Sequence, residues 1–252
     1  MDKKIREILV KVSLIFVTVL FIIIILIKRF VYFRPSSHFI QTKEKYRDIN
    51  HGHLHGWLLE NEKESDKIIL LCHGNSGNIS HEEWRIVKLR KLGYSVLAFD
   101  YSGYGKSRGI PNEQQLYDDA SAMVALLRQN YSPEQIIIYG VSIGGSIATY
   151  VARRYSIPCL ILESPLPSVR ILIENKYQLF SFISPLFPEF DTESYLDGFK
   201  GKSLLLHNPS DEMIPYESVK KLTNLCSLDI QISGSHQYPN IPWEDVKTFI
   251  EK

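Results

Sequence analysis

The chain has 252 residues, of which 44% are hydrophobic and 23% are charged, and its formal net charge is +1. This balance excludes a disordered chain, a collagen-like repeat and a globally basic nucleic-acid-binding protein, because each requires a compositional bias that is absent here. The three cysteines, Cys72, Cys159 and Cys226, are too few for a disulfide scaffold and lie in or beside apolar runs, so we expect buried free thiols.

The small net charge conceals an uneven distribution. Residues 1–47 contain 10 Lys and Arg against 3 Asp and Glu, a local charge of +7, whereas residues 48–252 contain 19 against 25, a charge of −6. The basic residues are therefore concentrated at the N-terminal end, beside the most apolar segment of the chain.

That apolar segment runs from Val12 to Ile27 and contains sixteen residues without a charge. As a helix it would be about 24 Å long at ~1.5 Å per residue, and Leu9 and Val10 bring it close to the ~30 Å of a membrane hydrocarbon core. Aromatic residues typical of a membrane interface follow the run: Phe30, Tyr32 and Phe33. No small-residue cleavage site follows it, so the pattern favours an uncleaved anchor over a signal peptide.

We therefore predict three regions. Residues 1–34 form a basic flank and a single transmembrane helix, residues 35–45 form a linker, and residues 46–252 form one globular domain. The protein is expected at a membrane, with the lipid bilayer as the partner of the N-terminal helix. Basic residues flank the apolar run on both sides, so the positive-inside rule favours neither orientation, and no pattern favours one oligomeric state.

In the globular region, Tyr46–Leu59 alternates around Gly52 and predicts an antiparallel hairpin. Short apolar runs then alternate with longer amphipathic segments. The runs predict buried strands at Ile68–Cys72, Ser95–Phe99, Ile136–Tyr139, Cys159–Leu162 and Ser203–Leu206, with a last strand at Leu228–Ile232. The amphipathic segments predict helices at Ser80–Leu92, Glu113–Gln129, Ile143–Tyr155 and Tyr216–Leu222.

Strand alternating with helix predicts an α/β fold, with a mostly parallel central sheet and helices on both faces. Residues 164–201 interrupt the alternation with four prolines in an apolar, aromatic-rich stretch. This connection is too short for a separate domain, so we expect short helices and a minimal lid.

The first candidate for chemistry is Ser142, in the sequence Gly140-Val141-Ser142-Ile143-Gly144. It fits the G-x-S-x-G pattern, and it lies where that pattern requires, after a predicted buried strand and before a helix rich in small residues. Glycines on both sides permit a strained turn that exposes the serine hydroxyl at the edge of the sheet. We predict that Ser142 is a catalytic nucleophile.

A nucleophilic serine requires a base and an acid that orients it. His236 follows the last predicted strand, and Asp211 lies in the loop after the Ser203–Leu206 strand. The chain order Ser142, Asp211, His236 is the order of hydrolases with this elbow. Glu163 is a rival acid, ranked lower because it directly ends a strand, whereas the Asp211 loop is long enough to reach His236.

The loop His73-Gly74-Asn75-Ser76-Gly77-Asn78 follows the first buried strand, where a donor to the reaction's oxyanion is expected. Its glycines allow a backbone amide to point inward. We assign the oxyanion hole to the N–H groups of Asn75 and Ile143, with Ser76 as the alternative to Asn75.

Together these motifs resemble the α/β-hydrolase superfamily, specifically its compact, membrane-anchored serine hydrolases. The His73–Asn78 loop resembles the HGN-type loop of that group, Phe99–Ser107 resembles its FDYRGYGxS turn, and Leu162–Pro165 resembles its ESP strand end. The resemblance implies a cofactor-independent serine hydrolase that cleaves a carboxylic ester or acyl thioester, of lipid or acyl type, through an acyl-enzyme. Three residues depart from the pattern: Ser102 replaces an arginine, and Asn208 and Ser235 replace glycines.

Other interpretations of the sequence motifs are less well supported. His51, His53 and His55 could approach a metal ion, but no carboxylate or cysteine cluster accompanies them, so we predict a solvated hairpin and no metal. The Gly103–Ser107 segment lacks the spacing of a phosphate loop. Enzymes of this fold with an aspartate nucleophile are excluded by Ser142. A non-catalytic, membrane-tethered binding module on the same scaffold is the alternative to an enzyme.

Overall fold

The computed structural model describes residues 3–26, 33–61, 65–176, 184–185 and 187–252. The chain divides into two compact units, Met1–Arg34 and Pro35–Lys252.

The first unit consists of one long helix, α1, at Lys3–Leu26. Its large hydrophobic side chains from Ile5 to Ile22 are 49% to 68% exposed, except for the half-buried Leu20. Among the described residues, no helix is both long and apolar enough to span a bilayer. The predicted apolar run ends at Ile27, which lies outside the described residues, as do Phe30 and Tyr32 of the predicted aromatic belt.

The second unit is built on an eight-stranded sheet. In chain order its strands are β1 (Arg47–His51), β2 (Leu54–Leu59), β3 (Ile68–Cys72), β4 (Ser95–Phe99), β5 (Ile136–Val141), β6 (Cys159–Glu163), β7 (Lys202–His207) and β8 (Leu228–Gln231). Their spatial order is β1-β2-β4-β3-β5-β6-β7-β8. The β1–β2 hairpin is antiparallel and joins β4 antiparallel, whereas all other neighbours are parallel. The predicted, mostly parallel sheet is therefore confirmed.

Helices cover both faces of this sheet. They are α2 (Glu83–Lys91), α3 (Glu113–Leu127), α4 (Ile143–Arg154), α5 (Val169–Lys176), α6 (Thr192–Leu196), α7 (Tyr216–Leu225) and α8 (Trp243–Glu251). Residues of α2 and α8 share one apolar cluster with alternate strand residues such as Leu71 and Tyr139. Helix α4 packs on β5 and β6, beside α3 and α6. Because successive strand residues face opposite sides, fully buried Leu70 and Ile138 support the second layer.

The predicted strands are present: two have the predicted bounds, three are longer by one or two residues, and the last ends at Gln231, one residue before the predicted Ile232. The predicted helix at Ser80–Leu92 instead begins as a 3₁₀ turn, Ile79–Glu82, because the Asn78 side chain caps that turn by accepting from the Ser80 N–H. Helix α8 was not predicted from the sequence. Its buried residues Val246, Phe249 and Ile250 are spaced three and four positions from the first, which is typical of an amphipathic helix. The cysteines are free thiols, with Cys72 and Cys159 buried and Cys226 partly buried.

The N-terminal segment of the second unit lies against the loop after β3. Ser36 donates its N–H to Gly77 O at 3.0 Å, and Asn78 Nδ2 donates to Ser36 O at 2.9 Å. Ile40 donates its N–H to Ser80 Oγ at 3.0 Å. This segment therefore lies at the carboxyl edge of the parallel strands, which is also the edge that carries Ser142.

Candidate active site

Ser142 lies between β5 and α4 with a backbone φ of 54° and ψ of −120°. A positive φ is strained for a residue with a Cβ. Three backbone hydrogen bonds hold it there: Ser142 N–H donates to Glu163 O at 2.9 Å, and Ser142 O accepts from Gly145 N–H at 2.9 Å and from Leu166 N–H at 3.0 Å. These bonds therefore hold the backbone in a sharp turn, in which Ser142 departs from the extended conformation of β5.

The glycines around Ser142 are required by close approach. A Cβ on Gly144 would overlap the Cys72 carbonyl oxygen, and a Cβ on Gly140 would lie 2.6 Å from the Ala148 Cβ. Because both neighbours are fixed in the sheet or in α4, no larger residue fits without moving the turn. The G-x-S-x-G pattern thus has a steric cause in this fold.

Ser142, His236 and Asp211 form one hydrogen-bonded chain. His236 Nε2 lies 3.1 Å from Ser142 Oγ, and His236 Nδ1 lies 2.7 Å from Asp211 Oδ2. Because a carboxylate only accepts, Nδ1 carries the hydrogen and Nε2 is left to accept from the serine hydroxyl. Both His236 and Asp211 are 7% exposed. The structure thus brings together three residues that are 94 and 25 positions apart in the chain.

Asp211 is held in its ionised form by its surroundings. Burial raises the pKa of this carboxyl, but hydrogen bonds from His236, from Ile214 N–H and from Met213 N–H outweigh burial and leave the pKa below its usual value. The two backbone bonds to Asp211 Oδ1 are each 2.8 Å long. The carboxylate therefore stays charged at neutral pH and orients the imidazole of His236.

Two further side chains join the acid loop to the histidine loop. Glu212 Oε1 accepts from His236 N–H at 3.2 Å, and Asn208 Nδ2 donates to Gly234 O at 2.7 Å. Asn208 Oδ1 also accepts from Ser210 N–H at 2.9 Å. Sequence reasoning identified Asn208 only as a departure from a glycine, because no local pattern shows that residues 208 and 234 are neighbours.

The rival acid, Glu163, is engaged elsewhere. Its fully buried carboxylate accepts from Arg85 Nε at 2.8 Å, from Arg85 Nη2 at 2.6 Å and from Tyr139 Oη at 2.6 Å. Arg85 also pairs with Glu82. The Arg85–Glu163 pair fixes the end of β6, where the Glu163 carbonyl oxygen accepts from the Ser142 N–H. Glu163 therefore supports the turn at Ser142, whereas Asp211 contacts His236.

The predicted oxyanion loop borders Ser142. A Cβ on Gly74 would lie 3.6 Å from the Ser142 Cβ, so the loop backbone passes beside the serine side chain. Ile143 is the first residue of α4, and the N–H of a first helical residue has no partner within its own helix. Asn75 is half-buried, whereas Ser76 is exposed.

The histidines of the hairpin do not converge. His53 Nε2 contacts Ser102 Oγ at 2.9 Å and Asp119 Oδ1 at 3.1 Å. His55 lies between two other carboxylates, with Nε2 at 2.7 Å from one oxygen of Asp48 and Nδ1 at 3.3 Å from one oxygen of Asp100. Within the described ranges, no group of three or more His, Cys, Asp or Glu side chains could hold a metal ion.

The sequence matches a known family and several named relatives. A family model described as serine aminopeptidase, S33, matches residues 63–227. The lysophosphatidylserine lipase ABHD12 of Danio rerio is 31% identical over 210 residues, covering 74% of this chain and 54% of that protein. An uncharacterised membrane protein of Saccharomyces cerevisiae is 30% identical over 185 residues, covering 70% and 65%. The chain thus matches about half of the length of the zebrafish lipase.

Solved structures share the fold at low sequence identity. The esterase Pf2001 of Pyrococcus furiosus superposes with a TM-score of 0.67 at 24% identity, covering 86% of this chain and 96% of that one. Est1E of Butyrivibrio proteoclasticus, with ferulic acid bound, gives 0.58 at 20% identity, covering 79% and 92%. Taken with the matched family model, these similarities show that the chain belongs to the α/β-hydrolases, in the serine hydrolase family described as serine aminopeptidase, S33.

Proposed function

We propose that this chain hydrolyses carboxylic esters or acyl thioesters through an acyl-enzyme, with Ser142 as nucleophile, His236 as general base and Asp211 as the orienting acid. The observation that carries the proposal is the hydrogen-bonded chain of 2.7 Å from Asp211 to His236 and 3.1 Å from His236 to Ser142. A buried, ionised carboxylate, an oriented imidazole and an accessible hydroxyl are the parts that nucleophilic acyl transfer requires.

Acylation begins when Ser142 Oγ attacks the substrate carbonyl carbon and His236 Nε2 takes the hydroxyl proton. Asp211 stabilises the resulting imidazolium through Nδ1. The carbonyl oxygen becomes an oxyanion, which accepts hydrogen bonds from the N–H groups of Ile143 and Asn75. Collapse of this intermediate breaks the bond to the leaving alcohol or thiol, which takes the proton from His236 and leaves the acyl group on Ser142.

Deacylation repeats the same steps with water. His236 Nε2 takes a proton from the water as its oxygen attacks the acyl carbon, and a second oxyanion forms at the same N–H groups. When this intermediate collapses, His236 returns the proton to Ser142 Oγ and the carboxylic acid leaves. The enzyme regains its starting state without a cofactor.

Two features support an acyl substrate over a peptide. The relatives at 30% identity or above include a protein named a lysophosphatidylserine lipase, and structural neighbours are named esterases. In addition, buried apolar side chains such as Leu166 and Val169 follow β6 at the edge that carries Ser142. The family description names an aminopeptidase, so a peptide amide is the competing substrate class.

The nucleophile is tested with a fluorophosphonate probe, which reacts with activated serines. Wild type is expected to be labelled and Ser142→Ala is not, because Ser142 Oγ lies 3.1 Å from His236 Nε2, the proposed base that activates it. Ser146→Ala, one turn into α4, is the matched control and should retain labelling. Equal labelling of wild type and Ser142→Ala would exclude this nucleophile. A folded wild type that neither reacts nor hydrolyses any ester would favour the non-catalytic binding module.

The two carboxylates are separated by comparing Asp211→Asn with Glu163→Gln. Asp211→Asn should lower kcat by about 10⁴, because an amide no longer holds the required His236 tautomer. Glu163→Gln should lower the kcat of the folded fraction by less than about tenfold, yet reduce stability by up to roughly 3 kcal/mol, because the buried Arg85 loses the charge of Glu163 and keeps that of Glu82. Hydrolysis of p-nitrophenyl butyrate and denaturant titration measure the two effects. The reverse ranking of kcat would make Glu163 the orienting acid.

We further propose that the N-terminal helix places this hydrolase at a membrane. Support comes from the sixteen uncharged residues of the Val12–Ile27 run, the basic residues beside it and the exposed apolar side chains of α1. One relative is also named a membrane protein.

The anchor is tested by charge insertion at Val17, which is 61% exposed in α1. Val17→Arg should move the protein from the carbonate-resistant membrane fraction toward the extractable one, because an arginine at the centre of a spanning helix costs about 2.5–3.5 kcal/mol. Val17→Leu is the control and should remain membrane-bound. Identical extraction of both variants, or extraction of wild type, would contradict the anchor.

A further inference from the structure

The turn from Asp100 to Ser107 takes no part in the chemistry above, yet it contacts the oxyanion loop, residues 73–78. Tyr101 Oη donates to His73 O at 3.0 Å. Tyr104 Oη donates to Asn75, with its carbonyl oxygen at 3.0 Å and its Oδ1 at 3.1 Å. Both tyrosines are at most 1% exposed. The carbonyl between these two is also held, because His73 Nδ1 lies 2.7 Å from Gly74 O.

Three successive carbonyl groups of the loop are therefore held by one aromatic cluster. The rings of His73, Tyr101 and Tyr104 contact one another, with centroid distances of 4.3, 5.4 and 5.8 Å. We call these three residues the carbonyl clamp. Burial lowers the pKa of His73 and raises the pKa of Tyr101. The imidazole is therefore neutral with its hydrogen on Nδ1, and the Tyr101 hydroxyl keeps its proton, so both groups are donors at neutral pH.

The clamp determines where the amide hydrogens of the loop point. In a trans peptide, the N–H lies opposite the C=O of the preceding residue. Since the carbonyls of residues 73, 74 and 75 face the clamp, the N–H groups of Gly74, Asn75 and Ser76 face away from it. Successive N–H groups on one side of the backbone form a concave anion site. The backbone of Gly74 borders Ser142, with a distance of 3.6 Å from its virtual Cβ to the Ser142 Cβ.

The Asp100–Ser107 turn is itself fixed firmly enough to act as a support. Gly103 and Gly105, on either side of Tyr104, have φ values of 78° and 50°, which glycine adopts without strain. A Cβ on Gly105 would overlap the Asp100 carboxylate. Asp100 Oδ1 in turn accepts from Ile79 N–H at 2.9 Å, just after the oxyanion loop. The turn is thus hydrogen-bonded to His73 at the start of the loop and to Ile79 directly after its end.

We propose that Tyr101 and Tyr104 are positioning residues of the oxyanion site, which hold the carbonyls of His73 and Asn75 so that the amides of residues 74–76 face the oxyanion formed at Ser142. This inference rests on the proposed acyl-transfer function. Both tyrosines belong to the Phe99–Ser107 motif. They act through the peptide groups of the loop rather than by contact with substrate.

The test removes single hydroxyl groups from the full-length protein. Tyr104→Phe keeps the ring that packs on His73 but releases the Asn75 carbonyl. Loss of one oxyanion donor lowers kcat by about 10²–10³, so release of one of three restraints should lower kcat for p-nitrophenyl butyrate by roughly tenfold, with KM within about twofold. Affinity for a trifluoromethyl ketone, whose serine adduct carries an oxyanion, should fall by the same factor. Tyr101→Phe should change both quantities in the same direction.

Tyr117→Phe is the matched control, since it also removes a buried hydroxyl, which bonds Glu113 and Ser146 away from the oxyanion loop. Its kcat and its inhibitor affinity should equal those of wild type. Active-site titration with the fluorophosphonate probe normalises every rate to the folded fraction. Normalised kcat within twofold of wild type in both Tyr104→Phe and Tyr101→Phe would overturn the proposal, as would a rise in KM at constant kcat.

The wild-type protein separates this failure from a failure of the function itself. If wild type is labelled at Ser142 and hydrolyses the ester while both tyrosine variants match it, only the positioning role is wrong. If wild type shows neither Ser142-dependent labelling nor hydrolysis, the acyl-transfer function and the positioning role are both wrong.

Discussion

The left-handed backbone of Ser142 is the constraint on which the site depends. A φ of 54° costs a non-glycine residue about 1–3 kcal/mol, and it persists because the Ser142 N–H and carbonyl are bonded to Glu163, Gly145 and Leu166. The end of β6 that supplies the Glu163 carbonyl is fixed by the buried Arg85–Glu163 pair. The glycines at 140 and 144 let the turn approach the neighbouring backbone. Core packing, a buried ion pair and the strained turn therefore act together to present one hydroxyl.

The partners of Ser142 come from loops at the same edge of the sheet, where the carboxyl ends of β3, β7 and β8 meet. The loops after β7 and β8 are joined to each other by side-chain hydrogen bonds. Asn208 bonds Gly234, Glu212 bonds the His236 amide, and Asp211 bonds the His236 ring. On the other side of Ser142, the Asp100–Ser107 turn bonds the oxyanion loop. Ser142 thus lies between two hydrogen-bonded pairs of loops. These bonds limit the movement of both His236 and the proposed oxyanion donors.

Local features were predictable from the sequence, whereas contacts between side chains far apart in the chain were predicted only where the chain order Ser142, Asp211, His236 indicated them. The buried strands are short, continuous apolar runs, and this feature identified their bounds within one or two residues. The elbow at Ser142 was recognisable because strand, turn and helix adjoin in sequence. By contrast, the Arg85–Glu163 pair joins residues 78 positions apart, and the Asn208–Gly234 bond joins residues 26 apart. No short-range pattern encodes such contacts. The 3₁₀ turn before α2 was also missed, because it depends on the capping side chain of Asn78.

The central claim, that Ser142 forms an acyl-enzyme with His236 and Asp211 as its partners, is tested most directly by trapping that intermediate. Rapid acid quench during turnover of p-nitrophenyl butyrate, followed by peptide mass spectrometry, should find the butyryl mass on the peptide that contains Ser142. The same experiment with His236→Ala should find no adduct, because the serine then lacks its base. Hydrolysis by wild type with no acyl group on Ser142, or with the acyl group on another residue, would contradict the account.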